Sequence, residues 1–352
     1  MIEPIKIDNK KPIIAIAIGD PHGIGSELVL RSLTNKEIYQ KTIPVVIGDM
    51  ELLKRTQEFL ETNFEFNKIS EVEEAKGEFG KIDILDMSNI KWDEFRWGQV
   101  SKMSGNASLD YIETSMKLAM KGDIDAFIYG PLNKENMKRA GLRHASEAEY
   151  MQEFIGSNHI IILMIGKKSI ITRVTTHVPL KDVSNYITQE NVLKVIEMTD
   201  AILKRMGFGR PRIGIGALNP HMGEGGLCGR EEIDVIIPAI EKAKKLDIEI
   251  AGIYPADTLY LGFDPNFCNR KIDVAIYMYH DIAGVSSKML ESGFEGGMFT
   301  MTAGLPVPVL TVGHGTAYPI AGKGEAKETS MINAIQFATR ILGRFKNESR
   351  YP

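Results

Sequence analysis

Short apolar runs of strand length alternate with helix-length stretches along nearly the whole chain, and this alternation limits the fold more than any other feature. Residues 13–18 read Ile-Ile-Ala-Ile-Ala-Ile and stop at Gly19, with a helix beginning at 28–33. Strand-like runs recur at 44–47, 82–85, 126–129, 159–165, 170–175, 212–217, 248–253, 274–278 and 309–311. Helical stretches lie between them at 51–60, 108–120, 134–140, 149–155, 189–206 and 231–246, and a last one closes the chain at 329–342. In 189–206, Val192, Val195, Ile196, Met198, Ile202 and Leu203 fall at helical spacing. Strands apolar on both sides belong to parallel sheets covered by helices on both faces, so the fold class is α/β. At 352 residues the chain is long enough for one large domain or two lobes, and no repeat or low-complexity linker divides it.

Composition removes several classes of function. A formal net charge of −4 without a Lys/Arg block argues against a nucleic-acid footprint. No stretch approaches the ~18 apolar residues of a spanning helix. Two cysteines, Cys228 and Cys268, make no disulfide framework and point to a reducing compartment. The opening Met-Ile-Glu-Pro-Ile-Lys lacks a signal peptide's apolar centre. The expectation is a cytoplasmic enzyme with a small-molecule substrate and no membrane or nucleic-acid partner.

Three histidines follow apolar runs: His177 in Thr-Thr-His-Val-Pro-Leu, His221 in Asn-Pro-His-Met-Gly-Glu-Gly-Gly, and His280 in Met-Tyr-His-Asp. Ligands of open α/β sheets bind beyond the carboxyl ends of strands, which is where these residues sit. Together they suit a divalent metal, while three unrelated strand-end histidines would look the same. The turn from Gly19 to Gly25, followed by a helix, a strand and Asp49, superficially matches a dinucleotide-binding unit of short-chain dehydrogenase type. That type needs Tyr-x-x-x-Lys, which none of the eleven tyrosines provides. A tight turn needing glycine's backbone freedom explains the glycines equally well. Asp257 offers either an acid or a helix cap. Lys288, eight residues after His280, could shuttle protons if partly desolvated. The glycine-rich loop 313–326 is long enough to be functional and suits adenosine or phosphate.

Gly-Asp-Pro-His-Gly-Ile-Gly-Ser-Glu, Gly-Pro-Leu-Asn-Lys, Thr-His-Val-Pro-Leu, Leu-Asn-Pro-His-Met-Gly-Glu-Gly-Gly, Gly-Arg-Glu-Glu-Ile-Asp, Pro-Ala-Asp-Thr, Met-Tyr-His-Asp and His-Gly-Thr-Ala occur in this order. The ordered set resembles the 4-hydroxythreonine-4-phosphate dehydrogenase family and its catabolic relatives, from about residue 13 to 340. The resemblance implies a two-lobed α/β/α fold shared with isocitrate and isopropylmalate dehydrogenases. Its active site would lie in the inter-lobe cleft at a homodimer interface. It implies one lobe from 1–129 with 303–352 and a second from 130–302. It further implies a divalent metal (Zn, Mg, Mn, Co or Ni) on His177, His221 and His280, with His280 supplied by the dimer partner. NAD or NADP would bind at His314, Gly315, Thr316, Ala317 and Gly322, and Lys288 and Asp257 would be catalytic.

The substrate pocket implied by the resemblance is altered in this sequence. A usual Gly-His-Thr-Glu aligns with Ser146-Glu147-Ala148-Glu149, an Asn with Thr300, an Arg with Val309, and a Gln after His-Asp with Ile282. Lys288 remains. The changes remove charged and donor groups that a phosphate dianion needs. The expected activity is metal- and NAD(P)-dependent oxidation of a β-hydroxyacid with loss of CO2. One alternative is a dehydrogenase of an unphosphorylated diol or dihydrodiol carboxylate. Another is a metal-dependent lyase without a redox cofactor, against which the His-Gly-Thr-Ala loop argues.

Overall fold

A computed structural model describes residues 11–157, 159–264, 271–291 and 297–345. Cys268 and the opening residues 1–6 lie outside the described residues. The chain forms two compact units, residues 1–160 with 299–352 and residues 161–298.

The first unit begins with strand β1 (Ile13–Ala17), helices α1 (Gly25–Leu33) and α2 (Lys36–Lys41), β2 (Ile43–Gly48) and α3 (Met50–Leu60). It continues through β3 (Glu65–Ile69), β4 (Lys81–Asp86), α4 (Lys102–Lys121), β5 (Ala126–Tyr129), α5 (Lys134–Arg139) and α6 (Glu147–Ile155). The second unit holds β6 (Ile161–Ile165), β7 (Ile170–Arg173), α7 (Val183–Tyr186), α8 (Gln189–Arg205), β8 (Ile213–Gly216), α9 (Ile237–Lys245), β9 (Ile250–Tyr254), β10 (Val274–Tyr277) and α10 (His280–Glu291). The chain then returns to the first unit with β11 (Phe299–Ala303), β12 (Val309–Val312) and α11 (Thr329–Phe345).

In the first unit the strand order is β3-β4-β2-β1-β5-β12-β11. All neighbours are parallel except β11, which runs antiparallel to β12. Every residue of β5 and all but the first of β1 and β2 are buried, so both faces of the sheet centre are covered. In the second unit the order is β6-β7-β10-β8-β9, again parallel except for β6 against β7. The α/β class read from the sequence is the class of the structure. The purely parallel pattern is corrected at β6 and β11, where a short turn and a short loop force antiparallel pairing.

Three local readings also change. β3 is polar at Glu65, Asn67 and Lys68 and gives no apolar run, because it is an edge strand with one partner. The expected helix 231–246 is two pieces, a π-turn at Glu232–Ile236 running into α9. Pro238 at the junction has no N–H to continue the ordinary ladder. The division between units falls at 160/161 and 298/299 rather than at 129/130 and 302/303. The physical reason is that α5 and α6, in 130–160, pack on α4.

Candidate active site

In the first unit the strand order reverses between β1 and β5, the place where open α/β sheets bind ligands. The Gly19 turn leaves β1 there and Gly130-Pro131 leaves β5, with Asp20 N donating to Pro131 O. The backbones meet so closely that a Cβ on Gly25 would lie 1.8 Å from Ile18 O, and one on Gly130 2.3 Å from the same atom. Several amides of the turn are also spent: His22 N on Asp20 Oδ1, Gly23 N on Asp20 O and Ile24 N on Thr316 O. A phosphate cradle needs open space and free N–H groups. This turn has neither at those positions, so the glycines serve backbone packing. Asp49 likewise is used as a cap, accepting from Leu52 N at the start of α3.

What the turn does hold is the loop after β12. The fully buried Asp20 carboxylate accepts from Ser104 Oγ at 2.5 Å, Asn136 Nδ2 at 2.7 Å and Tyr318 Oη at 2.9 Å. Burial, and then the Asp20 charge, push the Tyr318 phenol well above its ordinary range, so it stays a donor. Further along, Glu27 accepts from Gly322 N at 2.8 Å and Arg31 donates to Gly324 O at 2.6 Å. Gly322 rests so close to Trp97 that a Cβ would lie 2.7 Å from the indole. Thr316 is buried under Gly23, while Ala317 adopts a left-handed φ of 47°. His314 and Gly315 are exposed, and a Cβ on Gly315 would meet nothing within 4 Å. Of the five expected cofactor residues, Thr316, Ala317 and Gly322 therefore anchor the loop, and His314 and Gly315 form its open part.

The altered substrate positions lie in the same unit. Tyr129, Thr311 and Thr300 pair in one row across β5, β12 and β11. Glu147 opens α6 and accepts from Tyr129 Oη at 3.3 Å. Burial and the Glu147 charge hold the Tyr129 phenol above its usual range. Val309 is fully buried two pairs along, between Phe127 and Thr302, and Ala148 is buried too. This row offers hydroxyls and a carboxylate, and its paired residues include no basic one.

In the second unit the expected metal and catalytic residues follow four adjacent parallel strands. His177 follows β7, His280 follows β10, His221 follows β8 and Asp257 follows β9. His177 and His280 face each other with ring centroids 5.8 Å apart and line a cavity of about 220 Å³ with Thr176, Tyr279 and Asp281. His221 does not line that cavity, and its Nδ1 lies 2.6 Å from Glu224 Oε1. Among the described residues no three His, Cys, Asp or Glu side chains converge to hold a metal. The imidazole chemistry fits a divalent ion, but one chain brings together only two of the three expected ligands. Lys288 sits eight residues along α10 from His280, about 12 Å of helix axis. Lys288 and Asp257 are both exposed.

Two supporting arrangements were not foreseen. Glu232, 1% exposed, accepts from Leu218 N, Asn219 N and Asn219 Nδ2 at 2.7–2.9 Å, and so fixes the base of the His221 loop. That loop runs left-handed from His221 through Gly225, with φ of 49° at His221, 58° at Met222 and 45° at Glu224. Non-glycine residues held there store backbone strain, a mark of functional loops. The other is the Asp20 carboxylate with Ser104, Asn136 and Tyr318. Glu232 could have been singled out from Gly-Arg-Glu-Glu-Ile-Asp, but the Asp20 set joins residues nearly 300 positions apart and has no local signal.

The sequence model described as Pyridoxal phosphate biosynthetic protein PdxA matches residues 40–338. The chain belongs to the PdxA family. A protein of Oceanobacillus iheyensis named "Putative D-threonate 4-phosphate dehydrogenase" is 38% identical to this PdxA-family chain over 335 residues, 95% of this chain and 98% of that protein. A crystal structure of a 4-hydroxythreonine-4-phosphate dehydrogenase from Burkholderia phymatum is 35% identical, with a TM-score of 0.79 over 95% of this chain and 99% of that one. A terephthalate 1,2-cis-dihydrodioldehydrogenase from Burkholderia xenovorans LB400 is 26% identical, with a TM-score of 0.64 over 94% and 98% of the two chains.

Proposed function

We propose that this PdxA-family chain is an NAD(P)- and divalent-metal-dependent dehydrogenase that oxidises the secondary alcohol of a β-hydroxyacid and releases CO2. The observation that carries the reading is the placement of His177, His280, His221 and Asp257 directly after four adjacent parallel strands, with a cavity beside His177. The names of the relatives support the dehydrogenase class. His177, His221 and His280 would hold the metal, with His280 given by a second copy of the chain. Exposed Val285 and Met289, one turn apart on α10, support such a pairing. When bound, the ion supplies Lewis-acid stabilisation of developing oxyanions and NAD(P)+ supplies the hydride acceptor.

The chain's own residues account for the rest. His314 and Gly315 would seat the adenosine end of the dinucleotide on the loop that Asp20, Tyr318 and Glu27 brace. Lys288 Nζ, in its neutral form, would take the hydroxyl proton as hydride leaves carbon, and the Asp257 carboxylate would stabilise the ammonium that results. The β-keto acid then loses CO2, and the lysine returns its proton to the carbanion carbon. One alcohol, one oxidised nicotinamide and one carboxylate are consumed, giving a ketone, reduced nicotinamide and CO2.

A second reading, an unphosphorylated substrate, is favoured by the Glu147–Tyr129 pair and the buried Val309, because a carboxylate repels a phosphate dianion. NADH or NADPH formation with D-threonate 4-phosphate and with D-threonate tests both readings. Turnover of the first compound supports the phosphorylated substrate. Turnover of the second alone supports the other reading. No turnover of any β-hydroxyacid in the presence of Mg, Mn, Co or Zn would refute the activity.

A further inference from the structure

Helix α10 begins at His280 and carries Lys288, so its seat against the sheet decides where an imidazole and an amine are presented. Its buried residues are Ala283, Ser286, Ser287 and Glu291. The first three are small and interlock little with β7 and β10, the strands that α10 packs on. Half-buried Ile282 and Leu290 add apolar contact, which attracts without fixing direction. These residues hold the helix to the sheet but only weakly oppose its turning about its axis or sliding along it.

Glu291, the last residue of α10, supplies the direction. It is 7% exposed, and its carboxylate accepts from Lys167 N at 3.0 Å, Lys168 N at 3.1 Å and Ser169 Oγ at 3.0 Å. All three donors belong to the turn between β6 and β7, which Gly166 N closes by donating to Ser169 O at 2.9 Å. The turn is shaped to admit the carboxylate, because a Cβ on Gly166 would overlap the Glu291 carboxyl. A buried carboxylate is costly, and at the C-terminal end of a helix it also opposes the macrodipole. Water or a side chain of the turn itself could satisfy these donors. They are given instead to a residue 122 to 124 positions later in the chain. Hydrogen bonds to an ionised group are strong and directional, and three of them converge on one end of α10. Lys288 is one turn earlier, about 4.5 Å along the axis and about 60° around it, and His280 is about 16 Å away along the same rod.

We propose that Glu291 is the positioning residue of α10, the group that sets the rotation and depth at which the helix presents Lys288 and His280. It acts through the helix and takes no part in proton transfer. Its bearing on catalysis rests on the dehydrogenase reading; its hold on the helix does not.

Two measurements on the full-length protein test this in the wild type, Glu291→Ala, Glu291→Gln and Ser169→Ala, the last of which removes one donor and leaves α10 unaltered. The first is amide hydrogen exchange over the peptide that spans α10, read by mass spectrometry without substrate. The second is steady-state oxidation of a β-hydroxyacid with NAD(P)+ and Mn. Glu291→Ala should exchange the α10 amides about tenfold faster or more. Its kcat should fall about tenfold or more, because a misplacement near 1 Å at a reacting group suffices for that. The KM for the nicotinamide should stay within about twofold, since the loop proposed to bind it belongs to the other unit. Glu291→Gln, which keeps the shape and one acceptor oxygen, and Ser169→Ala should show both effects at smaller size. Unchanged exchange in α10 overturns the proposal. Faster exchange with unchanged kcat also overturns it and marks Glu291 as a stabilising group alone. A nicotinamide KM that rises as far as kcat falls marks general loosening and overturns it too. If Glu291→Ala does not fold, the two milder variants decide by the same criteria. A wild type without turnover refutes the dehydrogenase reading, and the proposal then stands or falls on exchange in α10.

Discussion

Glu232 and Glu27 illustrate what single carboxylates do here. Glu232 satisfies two backbone N–H groups and the Asn219 amide beneath the strained His221 loop. Glu232→Ala leaves buried donors unsatisfied and should cost roughly 3 kcal/mol, measured as a lowered urea midpoint. A change below about 0.5 kcal/mol would show that the loop does not depend on it. Glu27 is buried, and burial holds its carboxyl above the usual range despite the amides that point at it. Its folded pKa thus exceeds its unfolded one. The stability it contributes is complete below the unfolded value and is lost as pH rises through the folded value. Glu27→Gln removes that loss, so its melting temperature relative to wild type should be more favourable at about pH 7 than at about pH 4. A pH-independent difference would contradict the assignment. At this scale the three histidines and Asp257 could be read from the sequence as residues that follow strands.

Elements were legible where their apolar pattern is strong and obscure where tertiary packing decides. The runs of β1, β2 and β5 announce themselves because both sheet faces are covered. Helix α10 contains Gly284, two serines and β-branched residues, and its helicity rests on packing against β7 and β10. The Gly19–Gly25 turn left two readings open, and packing chooses between them, because the clash distances concern backbone rather than a ligand. Gly25→Ala would place a Cβ 1.8 Å from Ile18 O. It should cost about 3 kcal/mol or more in chemical denaturation, against the gain of up to ~1 kcal/mol that Ala gives in an unobstructed helix. Gly315→Ala, with nothing within 4 Å, should leave stability within about 0.5 kcal/mol. Equal effects from the two substitutions would remove the distinction between anchor and open loop.

At the scale of the molecule, two units carry different parts of the proposed chemistry. The 1–160 and 299–352 unit braces the loop after β12, and the 161–298 unit carries the histidines. The α/β class and the order of motifs were legible because they follow from local runs and turns. The placement of residues 130–160 was not, because the packing of α5 and α6 on α4 is visible only in three dimensions. The proposed completion of a three-histidine site by a second copy has a direct consequence. His177→Ala and His280→Ala should each be inactive alone, yet random re-pairing of the two should restore about a quarter of the wild-type sites. No recovery on mixing would place all three ligands within one chain. The central claim is most directly tested by following reduced nicotinamide during β-hydroxyacid oxidation while the divalent ion is removed with a chelator and then returned. The account predicts that formation stops on chelation and resumes with Mn, Mg, Co or Zn in the wild type but not in His280→Ala; undiminished formation in the chelated protein would contradict it.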